Sequence, residues 1–81
     1  MGAYELHRLT SYISSSVADV RLELGEARDK LADLIFVAVQ ERRKRIADKL
    51  EKVMNLIREA DKLLHEAEKE WIEDVKRKLG L

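Results

Sequence analysis

The sequence predicts an all-α protein, a helical bundle or coiled coil, and three observations carry that reading. Alanine, glutamate, lysine, leucine and arginine dominate a chain with no proline and only three glycines, the composition of long helices. Apolar residues recur at alternating steps of four and three over most of the length. Strand signals are weak, because β-branched residues are scattered and the residue pairs that close strand hairpins are absent.

Eighty-one residues allow one small domain, residues 1–81. A chain of this size buries a modest share of its surface, so its core is marginal without disulfides, metals, self-association or well-packed helices. With no cysteine, disulfides and thiolate metal sites are excluded. Helix packing and self-association remain as sources of stability. Sixteen basic and sixteen acidic side chains balance to zero net charge, so no whole-molecule field points toward nucleic acid or an anionic membrane. No stretch has the pattern of a secretion signal, and the longest apolar run, Leu34 to Val39, falls far short of the ~20 residues of a membrane span. A cytoplasmic location is the expectation.

Residues 1–25 are expected to form an N-terminal helical segment of one or two short helices. Ser16 with Asp19 three residues later fits a helix N-cap, and Gly25 fits a left-handed helix stop with Glu26 opening the next helix. Either position is otherwise an irregularity within one helix, the glycine costing ~1 kcal/mol relative to alanine.

Residues 26–79 are expected as a long helix or a helical hairpin, since neither glycine nor proline interrupts them. A single helix would reach roughly 80 Å at ~1.5 Å per residue, too long to bury its apolar stripe alone. Two packing seams follow the heptad rhythm. The first is Ile13, Val17, Val20, Leu24, Ala27, Leu31, Leu34 and Ala38; the second is Ile46, Leu50, Val53, Ile57, Ala60, Leu64, Ala67 and Trp71. Both have the spacing that knobs-into-holes packing requires. Consecutive four-residue steps from Ala38 through Arg42 to Ile46 shift the phase, which marks a stutter in a continuous helix or a turn. Weaker turn signals stand at Asp48 and Asn55. Leu34 to Val39 is apolar around the whole circumference and is expected to be the most buried point, with Tyr4, Leu6, Leu9, Tyr12 and Ile13 as its cover.

Charge adds an orientation. Residues 42–58 carry seven basic and two acidic side chains, residues 59–74 two basic and seven acidic. The adjacent blocks of +5 and −5 favour antiparallel neighbours, in a homo-oligomer or in a chain folded back so that residues 19–33 meet 42–58.

Chemistry is sparse. His65 shares a helix face with Asp61 and Glu68, but a metal site needs more ligands and a supporting shell. His7 stands four residues before Ser11 without an orienting group or an oxyanion hole. Trp71 falls on the second seam, with Ile72, Val75 and Leu79 as a stripe beside it. The basic turn Arg42, Arg43, Lys44 and Arg45 is suited to phosphates through charge and counterion release, yet no aromatic residue interleaves for base stacking. The expected function is therefore a structural or interaction module that oligomerises, or docks a helical partner, through its heptad-spaced seams. No enzyme activity, cofactor or metal is expected. The alternative is a polyanion- or nucleic-acid-binding protein that uses the basic turn 42–45.

Overall fold

The computed structural model describes residues 2–78. The chain is a hairpin of two long antiparallel helices, α1 (Ala3–Gln40) and α2 (Lys44–Lys78). It forms a rod with principal extents of 59 × 15 × 11 Å.

The expected break near Ser16 or Gly25 does not occur. α1 runs unbroken through Ser14, Ser15, Ser16 and Gly25. Internal hydrogen bonding outweighs one glycine and three serines when thirty-eight residues share a stripe that packs along its length. The helix starts at Gly2, whose carbonyl accepts the Leu6 N–H at 3.1 Å. Nothing within 4 Å of Gly25 would meet an added Cβ, so this glycine is not there for a close approach.

The phase shift at Arg42 is the turn. Glu41 ends α1, and Arg42 adopts a left-handed backbone with φ 59°. The Arg42 N–H donates to the Val39 carbonyl at 3.0 Å, and the Arg43 N–H donates to the Ala38 carbonyl at 2.8 Å. This pair of bonds is a Schellman motif, which satisfies the last carbonyls of a helix. Glycine usually fills the left-handed position because it lacks a Cβ; here an arginine does. The Ala47 N–H returns to the Arg43 carbonyl at 3.0 Å and opens α2. Asp48 and Asn55 lie inside α2, and no turn forms at either.

The contact between the helices is thin. Leu6, Ile13 and Ala38 on α1 and Ala47, Met54 and Val75 on α2 are buried, with Val17, Leu24, Leu31, Ile35, Leu50, Ile57, Leu64 and Ile72 half-buried among them. The buried alanines Ala38 and Ala47 stand nearest the three-residue connection.

Several expected seam positions lie outside this contact. Val20, Leu34, Ile46, Val53 and Trp71 are all exposed, while Ile13, Val17, Leu24, Leu31, Leu50, Ile57 and Leu64 remain on it. On α2 the seam that packs is Ala47, Leu50, Met54, Ile57, Leu64, Ile72 and Val75, one residue on from the expected stripe at alternate positions. Each helix has an apolar arc wider than one seam, and a hairpin buries only the part that faces its partner helix. The run Leu34 to Val39 is not the most buried point either. Leu34, Phe36, Val37 and Val39 are exposed, and only Ala38 is buried. The run sits beside the turn, at the opposite end of the rod from Tyr4, Leu6 and Leu9, so the expected cover is out of reach.

Candidate functional site

The two sides of the hairpin differ in chemistry. Side-chain positions follow from a helical advance of about 100° per residue. On α2 the stripe Val53, Leu56, Ala60, Leu63, Ala67 and Trp71 lies about 90° round the helix from the stripe that packs on α1. On α1 the stripe Leu9, Ser16, Val20, Ala27 and Leu34, flanked by Tyr12 and Val37, lies about 75° from its own contact line in the same rotational sense. Because the helices are antiparallel, both stripes face the same side of the rod. Leu56 is 69% exposed, Leu63 54%, Leu34 54% and Trp71 49%. An apolar face thus runs from Leu9 to Val37 on α1, interrupted at Ser16, and from Val53 to Trp71 on α2.

The rim of that face is charged and polarised. On α2, Lys52 borders it toward the turn and Glu59, Glu66 and Glu70 toward the open end, while Arg45 and Lys49 close the stripe at the turn end and Asp74 at the open end. All seven are exposed. They belong to the +5 and −5 blocks of the sequence, and the fold puts representatives of each along one edge.

The opposite side is mostly polar and carries an ion pair between the helices. Arg21 from α1 donates through Nε to Asp61 Oδ1 of α2 at 2.8 Å and through Nη2 to Oδ2 at 3.3 Å, and its Nη1 stands 3.4 Å from His65 Nδ1. The hydrogen bond from Arg21 holds the Asp61 carboxyl below its usual range against a smaller opposing effect of burial, and the same bond raises the Arg21 guanidinium. Asp61 and His65 therefore converge on a cation supplied by the chain. Among the described residues no group of three or more histidine, aspartate or glutamate side chains is placed to hold a metal ion. His7 and Ser11 are both exposed, and Thr10 donates back to the His7 carbonyl at 3.0 Å within the helix.

The basic turn is brought together at the tip. Arg42, Arg43, Lys44, Arg45 and Lys49 line one shallow depression there with Ile46. Arg43 donates to Glu41 Oε1 at 3.0 Å, an exposed contact. The first turn of α2 contains no acidic residue, and Lys44 and Arg45 stand at the positive end of the helix dipole, where cations are unfavourable.

Leu56 and Leu63 lie outside both expected heptad seams. They extend Val53, Ala60 and Ala67 into a second stripe with its own alternation of three and four, a signal present in the sequence but hidden behind the neighbouring seam. No helix is long and apolar enough to cross a membrane among the described residues. In comparisons with known proteins, no family model, no curated protein and no solved structure matches this chain.

Proposed function

We propose that this chain is a helix-packing interaction module, a hairpin that works by laying its apolar face against another helical surface. The exposure of Val20, Leu34, Val53, Leu56, Leu63 and Trp71 on one side of the rod supports this most strongly. Soluble monomers rarely leave so long an apolar patch uncovered. Covering one such leucine contributes about 1.5–3 kcal/mol, so a handful suffices to drive association. Helix-on-helix packing is the natural way to cover a stripe of this spacing. Light scattering on the purified chain tests the reading. A mass that is a multiple of 9.4 kDa supports self-assembly, and a Leu63→Ser variant should reduce that mass while keeping its helical circular dichroism. A monomer at all accessible concentrations, with Trp71 as solvent-exposed as in the lone hairpin, would contradict it.

A second reading, polyanion binding at the tip, draws on one observation. Arg42 occupies a left-handed position that glycine fills with less strain, and its neighbours oppose the helix dipole. Local rules broken together at one place are a recognised mark of function. On this reading the tip is retained on heparin at low salt, and Arg42→Gly with Arg45→Gln flattens the salt dependence. A wild-type chain that flows through at low salt removes it.

A further inference from the structure

We infer that the apolar face is covered by a second copy of the same chain, stacked face to face with the two tips at opposite ends of a four-helix bundle. This rests on the interaction-module reading above and specifies its partner and orientation.

Area comes first. The chain exposes 6631 Å², whereas a compact monomer of its 9.4 kDa exposes about 5000 Å². The excess of about 1600 Å² is at least what each partner of a stable interface contributes, since standard interfaces take about 800 Å² per side and obligate dimers more. The apolar stripe on α2, from Val53 to Trp71, is about 27 Å long at ~1.5 Å per residue and can lie against its own duplicate.

Charge then selects the occupant and its direction. A two-fold axis across the middle of the face, at Ala60 and at the level along the rod of the Arg21–Asp61 pair, runs α2 of each copy antiparallel to α2 of the other. Leu56 then meets Leu63 of the second copy, and Val53 meets Ala67. The rim follows the same symmetry. Lys49 falls beside Glu70 of the second copy and Arg45 beside Asp74, each twice by symmetry. The cost is a like-charge approach near the axis, of Asp19 and Glu23 between the two α1 helices and of the two Glu59 side chains between the two α2 helices. The other face-to-face arrangement puts both tips at the same end and lays α2 on α1 of the second copy. It sets Lys52 beside Lys30 and Glu59 beside Glu23, and it brings the two sets of Arg42, Arg43, Lys44 and Arg45 side by side. Both arrangements bury the same apolar face, so the charges decide between them. Opposite-end tips win that comparison.

Single cysteines test the arrangement cleanly, because the chain has none of its own. Under mild oxidation Ala60→Cys should cross-link to itself in high yield, as it lies on the axis. Val53→Cys mixed with Ala67→Cys should give the mixed product. Val53→Cys mixed with Lys30→Cys should not, because that pair adjoins only when the tips share an end. Light scattering runs alongside. A dimer that cross-links through Val53 and Lys30 and not through Ala60 would overturn the orientation while leaving the interaction-module reading intact. A chain that stays monomeric in light scattering would overturn both. Leu22→Ser, on the far side of α1, should leave mass and cross-linking unchanged, whereas Leu56→Ser should lower both with helicity retained. Equal effects of these two variants on association would also defeat the proposal.

Discussion

The polar and apolar sides of this hairpin are made from the same two helices and do opposite things. On the polar side Arg21 reaches across to Asp61 and His65 and ties the two helices together. On the apolar side Leu34, Leu56, Leu63 and Trp71 stay about half exposed or more. The polar side has a side-chain bridge between the helices and the apolar side leaves its large side chains exposed. The contrast teaches that a two-helix hairpin, which has no third layer, can finish only one of its two grooves from its own side chains.

Four perturbations sharpen that contrast. The largest effect belongs to the seam between the two sides. Ile13 is 1% exposed, and Ile13→Ala should cost about 2–5 kcal/mol, enough to abolish cooperative thermal unfolding in a core this thin. A melting curve close to wild type would mean that α1 and α2 are not held by this contact. Next comes the apolar side. Leu63→Ser should keep the helical spectrum but lower the midpoint of thermal unfolding and make it less concentration-dependent, because association and stability are linked.

The third effect is smaller and concerns the tip. Arg42→Gly removes a side chain from a left-handed position and should raise stability by about 1 kcal/mol, measured by urea unfolding. Loss of stability would show that the arginine makes contacts that outweigh its strain. The smallest effect is on the polar side. Asp61 has a folded-state pKa lowered by Arg21, so its contribution is present above the ordinary carboxylate range and is lost as pH falls through the lowered value. Wild type should therefore lose more melting temperature on acidification than Asp61→Asn does. Wild type should be the more stable of the two near neutral pH, by a small margin because exposed pairs contribute little, and the margin should close in acid. Parallel acid profiles would mean that the Arg21–Asp61 contact does not persist in solution.

Much of this fold is legible in the amino-acid sequence. Helicity follows from composition, and the phase shift between Ala38 and Ile46 marks the turn. That mark is ambiguous because the left-handed residue is Arg42, which carries none of the signal that glycine would. Ser16 and Gly25 mislead in the other direction, since both are signals of local preference and a long packed stripe overrides them. The expected α2 seam falls one residue off at alternate positions because both stripes have heptad spacing. Nothing in a one-dimensional pattern says which of two adjacent stripes meets the partner helix. Burial of Met54 and Val75, and exposure of Val53 and Trp71, follow from the geometry of the pair. The apolar face itself needs both helices: Leu34 and Leu63 are far apart in sequence and share a side only because the chain folds back at residues 41–43.

Trp71 is the only tryptophan in the chain and lies on the apolar face, half exposed in the hairpin, so its fluorescence reads the central claim directly. If another copy covers this face, emission should be blue-shifted at high protein concentration. It should move red on dilution, over the same range in which the mass from light scattering falls and before helicity is lost. An emission maximum typical of a solvated indole, unchanged across all concentrations while the protein stays folded, would show that the face stands open and would contradict the account.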